Sequence, residues 1–157
     1  MLDLVFLQSL GYLGVFLSGF LSTFTLFLPS PTFVLVILLA TTLDPFLLGI
    51  VGGLGATIGE AIGYGVGYGV SYGVQHKYGK WMERTNRLME KYRASVVIFI
   101  FAVTPLPFDL VGLFCGITKY SKKKFFIATL IGKVLKYIML AYAGYYGISW
   151  VMDYLSA

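Results

Sequence analysis

Two apolar stretches of this chain are each broken by a Pro-x-Pro, Pro29-Ser30-Pro31 and Pro105-Leu106-Pro107, and each break is followed by a near-repeat of one segment. Ile58-Gly59-Glu60-Ala61-Ile62-Gly63-Tyr64 reads against Ile131-Gly132-Lys133-Val134-Leu135-Lys136-Tyr137. Proline inside a helix removes a backbone hydrogen bond and clashes with the preceding turn, and the residue before it avoids helical geometry. Two prolines in three positions therefore end a helix. The pattern predicts a duplicated unit, each copy a broken helix pair followed by a continuous helix.

The solvent of that unit follows from composition. The chain is 58% hydrophobic and 12% charged, with a mean hydropathy of +0.83, which places it in a bilayer rather than in water. Its 157 residues suit one membrane domain: repeat one over about 4–74, a basic cytoplasmic loop over 75–93, and repeat two over about 94–152. The formal charge of +5 lies between apolar segments, so it suits a membrane surface and not nucleic acid. Cys115 sits in an apolar run and reads as a packing residue, His76 is a lone loop histidine, and Met1-Leu2-Asp3 lacks the basic start of a secretory signal. No Ser/His/Asp, Cys/His or metal-ligand spacing is present in the sequence, so the expectation is no enzyme, no cofactor and no metal.

The limbs of the second break, 94–104 and 108–118, are about 11 residues each, or ~16 Å of helix. Each crosses roughly half of the hydrocarbon core. A re-entrant hairpin with its turn near the midplane is expected, its open backbone covered by protein or facing a wet cavity. The charges agree: a hairpin leaves Lys77, Lys80, Arg84, Arg87, Lys91 and Arg93 on the same side as Lys119, Lys122, Lys123 and Lys124, the side expected to be cytoplasmic. The other connectors carry Asp3, Asp44 and Asp153 without Lys or Arg. The first hairpin then enters from outside and the second from inside, as in an inverted repeat. Residues 11–28 could nearly span alone, whereas 33–43 could not, so the side of the N-terminus stays open.

Four charged residues fall inside apolar segments: Glu60, Asp109, Lys133 and Lys136. Glu60 lies midway between Pro45 and Gln75, Asp109 follows the second Pro-x-Pro, and the two lysines begin roughly 12 and 16 Å into the last helix. All four can meet at the midplane, where their formal charges cancel. A lone charge there costs at least ~2.5 kcal/mol, so such residues are expected to serve function. The competing reading is two salt bridges tying helices together. Burial favours a protonated Glu60 and nearby lysine an ionised one, which makes it a candidate proton carrier.

Gly55, Gly59, Gly63 and Gly67 repeat every fourth position, the small-residue spacing that brings membrane helices close, and Tyr64, Tyr68 and Tyr72 form a second stripe. Packing is the simpler reading of the glycines; a sliding face, with tyrosine hydroxyls donating to substrate, is the other. Trp81 is expected to anchor at the interface, beside basic residues that either set topology or gather anionic headgroups.

Gly55-Ala56-x-x-Gly59-Glu60-x-x-x-Tyr64-x-x-Gly67, then Thr104-Pro105-Leu106-Pro107-x-Asp109, Gly116, Phe126, Gly132-Lys133-x-x-Lys136 and Gly144, together resemble the DedA superfamily, also called SNARE-associated or VTT-domain proteins, and especially its small YqaA-like branch. The resemblance implies an all-α integral membrane protein of two inverted-topology repeats, each a re-entrant Pro-x-Pro hairpin followed by a transmembrane helix. It implies a plasma-membrane transporter or flippase for a lipid, a polyprenyl phosphate for example, with membrane lipids and protons as partners and a homodimer left open. Passive phospholipid scrambling and a non-transporting assembly or homeostasis role are the alternatives. Glu60 matches the family's acid after glycine, and Lys133 and Lys136 match positions often held by arginine. The chain departs from the family at Phe101-Ala102-Val103-Thr104, where arginines are common, and at Ser22-Thr23-Phe24-Thr25, where an acid is common. Half-helices starting after Pro31 and Pro107 would aim positive N-terminal dipoles at an anionic headgroup.

Overall fold

The computed structural model of the chain describes residues 4–22, 31–91, 93–104 and 108–156. Its elements are α1 (Leu4–Leu21), α2 (Pro31–Leu39), α3 (Pro45–Lys91), α4 (Ala94–Val103), α5 (Asp109–Ile117) and α6 (Lys122–Ser156), with no strand among the described residues. Helix ends or starts are described beside both Pro-x-Pro motifs. Thr104 goes extended at φ −79° and ψ 159° while its N–H still bonds the Ile100 carbonyl, which ends α4; α5 restarts at Asp109. Pro31 opens α2, where its fixed φ suits a first helical residue and its missing N–H would have had no helical partner. Pro29, Pro105 and Pro107, the other expected turn residues, lie outside the described residues.

Two helical stretches are long and apolar enough to cross a membrane, Pro45–Gly73 and Lys122–Tyr154. They run antiparallel. Gly49 meets Ile138 and Gly53 meets Val134, while further along Tyr64 stacks at a tilt on Phe125, ring centroids 5.1 Å apart. A Cβ on Gly53 would lie 2.6 Å from the Val134 Cα, so glycine sets this approach.

The four shorter elements pack in an exchanged pattern. α1 lies on α3 and α4 on α6, each within its own half of the chain, whereas α2 crosses to α6 and α5 crosses to α3. Two buried clusters result. One joins Val15, Val36, Leu48, Ala56, Tyr137 and Ala141; the other joins Tyr64, Ile98, Phe108, Cys115, Phe125 and Ala128. Outside them, Leu13, Leu17, Val66, Val97, Ile127 and Met139 are exposed, the surface a bilayer would cover.

Where the sequence reads a basic loop over 75–93, the chain instead stays helical to Lys91. It also folds back. A Cβ on Gly67 would lie 3.1 Å from the Ile117 backbone nitrogen, and the Met89 sulfur accepts a hydrogen bond from the adjacent Thr118 hydroxyl at 3.5 Å. On a straight helix Gly67 and Met89 would be roughly 33 Å apart. The two contacts therefore require α3 to bend between Gly67 and Met89, a stretch that contains Gly73 and Gly79. The distal arm then lies against the end of α5, with Trp81 edge-on to Phe114 at 6.5 Å. Lys80, Arg84, Arg87 and Lys91 stay exposed, so the segment is an amphipathic surface helix whose charge hides its apolar stripe.

Candidate functional site

Glu60 and Lys133 occupy the boundary between the two clusters. On α3, Ala56 belongs to one and Tyr64 to the other; on α6, Ala128 and Tyr137 are divided in the same way. The antiparallel register of α3 and α6 brings the two charges together. Lys133 Nζ donates to Glu60 Oε1 at 2.8 Å, with Glu60 1% and Lys133 7% exposed. The other carboxylate oxygen, Oε2, has no hydrogen-bond partner among the described residues. It faces Gly112 of α5, where a Cβ would lie only 3.3 Å away.

The two lysines of α6 reach the starts of both crossing half-helices. Lys133 Nζ lies 4.9 Å over the ring of Phe108, the N-cap residue of α5. Lys136, one turn on, lies 5.5 Å over the ring of Phe33 in the first turn of α2. An aromatic face attracts an ammonium without neutralising it. Lys136 makes no ion pair among the described residues. Asp109, the first residue of α5 and half-buried, is within electrostatic range of Glu60 and both lysines. The four residues expected at one place are thus gathered around one direct contact, Glu60 with Lys133.

Polar ties brace the surroundings. The Ser18 and Thr32 hydroxyls share a hydrogen bond of 2.9 Å between α1 and α2. Tyr64 donates to the Tyr120 carbonyl at 2.6 Å, and the Tyr120 and Ser95 hydroxyls meet at 2.9 Å, joining α3, α4 and the α5–α6 turn. The glycine ladder is divided among partners: Gly55 closes on Phe16 of α1, Gly67 on Leu113 of α5, Gly59 is buried, and Gly63 opens toward Glu60 Oε2 and the Asp109 carbonyl, both at 4.0 Å.

Phe33, Phe108 and Gly112 escape the sequence reading. Phe108 directly follows Pro107 and adjoins Asp109, so it was legible as an aromatic beside buried charge; Phe33, two residues after Pro31, and Gly112 give no such signal without the fold. Between α4, α5 and the distal arm of α3 lies an apolar groove of about 590 Å³, lined by Leu88, Met89, Val97, Phe101, Leu110 and Phe114 among others. Among the described residues no group of three His, Cys, Asp or Glu could hold a metal.

The arrangement is a cluster of two acids and two lysines where α3 and α6 pack, with the short helices α2 and α5 starting beside it. No curated protein and no solved structure matches the chain. A family model does: the VTT domain matches residues 28–146, which includes all four charged residues of the cluster. Since that match spans most of the sequence and two of its helices can cross a bilayer, the chain belongs to the VTT domain family, the DedA/SNARE-associated membrane proteins.

Proposed function

We propose that the chain moves a lipid phosphate, of the polyprenyl-phosphate class, across the cell membrane, with proton exchange at Glu60. In this reading α1–α2 and α4–α5 are opposed re-entrant hairpins, and the basic segments face the cytoplasm. The headgroup binds Lys133 and Lys136 near the N-terminal ends of α5 and α2, whose dipoles favour an anion. Phosphate on Lys133 displaces the Glu60 carboxylate, which takes up one proton and so does not strand a charge in the interior. Release reverses both changes: Lys133 returns to Glu60 and the proton leaves. Asp109 offsets the lysines while the site is empty. The apolar groove beside α4 and α5 suits the lipid tail.

The observation that carries this reading is the buried Lys133–Glu60 pair joining one long helix of each half. Reconstitution into liposomes with a panel of lipid phosphates tests it. The expected outcome is movement of at least one of them, faster under an imposed proton gradient, and lost in Glu60→Gln. A Glu60→Gln protein that kept full transport and full pH dependence would overturn the assignment. Movement indifferent to the gradient favours passive scrambling, and folded protein that moves no lipid favours an assembly or homeostasis role.

A further inference from the structure

Two hollows adjoin on the distal arm of α3, one polar and one apolar. The polar one, of about 270 Å³, is lined by Lys80, Glu83, Arg84 and Arg87. The apolar one is the groove of about 590 Å³ between the arm, α4 and α5, a size within the range of small-ligand sites. Leu88, on the groove wall, directly follows Arg87 and lies one turn beyond Arg84 on the same helix face. Trp81, next to Lys80, stands edge-on to Phe114 of the groove wall at 6.5 Å.

The groove exists because the limbs of the second hairpin pack on different partners. α4 lies on α6 and α5 on α3, so the limbs part and leave an apolar channel. Buried Ile98 and Cys115 form its floor, and exposed Leu88, Val97 and Leu110 its rim. It runs from the arm along α4 from Ala94 to Phe101, ~10 Å of helix. In the polar hollow three cations face the single carboxylate of Glu83, and all four side chains are exposed. Among the described residues no acid comes within ion-pair distance of Lys80, Arg84 or Arg87. The excess charge selects the occupant. Arginine forks match phosphate oxygens, whereas a second copy docked by a twofold contact would bring the same arginines against them.

We propose that the arm and the α4–α5 groove hold one anionic phospholipid, its phosphate on Arg84 and Arg87 and one acyl chain along Val97, Phe101 and Leu110. A zwitterionic headgroup would add a cation beside the arginines and bind less well. This groove is the one that the transport reading gives to the lipid tail, so any part in transport rests on that reading. The binding itself does not, and can be measured alone.

The test uses Trp81 as reporter. The full chain carrying Trp150→Phe, which leaves Trp81 as its one tryptophan, is reconstituted in phosphatidylcholine vesicles. Phosphatidylglycerol or phosphatidylcholine brominated high on its acyl chains is then exchanged in, and quenching gives the relative affinities. Phosphatidylglycerol should be preferred by about tenfold or more at low salt, and less as salt rises. Arg84→Gln and Arg87→Gln should each reduce the preference by about fivefold. Val97→Phe, which fills the groove from its exposed rim, should lower quenching by both lipids alike. Equal quenching by the two lipids, no quenching by either, or variants that behave as the parent does would overturn the proposal. So would a Val97→Phe protein with unchanged quenching and an altered oligomeric state, which gives the groove to a second copy. Selective binding in a protein that moves no lipid sinks the transport reading and spares the site. Normal transport of a lipid phosphate without this selectivity does the reverse.

Discussion

Glu60 is short and almost fully buried, and Lys133 is almost as enclosed. Removing one partner of such a buried pair strands the other, at about 3–5 kcal/mol, whereas replacing both by groups of similar shape is near neutral. Glu60→Gln and Lys133→Met should each lower stability by about that amount, and the double variant should recover most of it. Thermal unfolding in one detergent measures the cycle; a double variant no better than the sum of the singles would show that the charges are not coupled. The cycle also separates a tie from a working site. If the pair only joined helices, the recovered double variant would transport normally; as a site it should be stable and inactive. The sequence made the four charges legible but not their pairing. Lys133 and Lys136 are three positions apart and share a helix face, and only the register of Gly53 on Val134 decides which of them meets Glu60.

At the scale of elements, α3 carries two kinds of glycine that look alike in sequence. Gly67 is pressed against the Leu113 carbonyl of α5, whereas Gly65 and Gly69 have nothing within 4 Å of an added Cβ. Gly67→Ala should cost about 1–3 kcal/mol by forcing α5 away. Gly65→Ala and Gly69→Ala should be neutral or stabilise by about 0.5–1 kcal/mol, since alanine is the better helix former. Thermal unfolding of the three variants side by side checks the contrast, and equal effects would show that α5 does not pack here as described. Spacing alone predicted one glycine face because it cannot see that α1, α5 and α6 approach α3 from different sides. The breaks at Thr104 and Pro31 were legible, because proline chemistry is local. The distal arm of α3 was not: Lys80, Arg84 and Arg87 dominate its composition, and the stripe of Trp81, Leu88 and Met89 gains meaning only once Phe114 and Thr118 lie beneath it.

Across the whole molecule, the exchanged packing of α2 on α6 and α5 on α3 makes each half complete only with the other. Such an arrangement suits two hairpins that enter from opposite faces, and it fixes a testable topology. If α4–α5 returns to its own side, the distal arm of α3 and the start of α6 share a face, and the turn between α2 and α3 lies on the opposite one. Cys115 is fully buried and cannot report the side, so it is first replaced by alanine, and single cysteines are put at Arg84, Lys123 and Thr41, all exposed. An impermeant thiol reagent applied to oriented vesicles should label Arg84→Cys and Lys123→Cys from one side and Thr41→Cys from the other. Labelling of the first two from opposite sides would mean that α4–α5 crosses the bilayer. At ~1.5 Å per residue, helices of 10 and 9 residues reach only about 29 Å end to end, short of a comfortable crossing through a broken turn. Return to the same side leaves their inner ends at mid-depth, the level at which Phe108 meets the Lys133 ammonium.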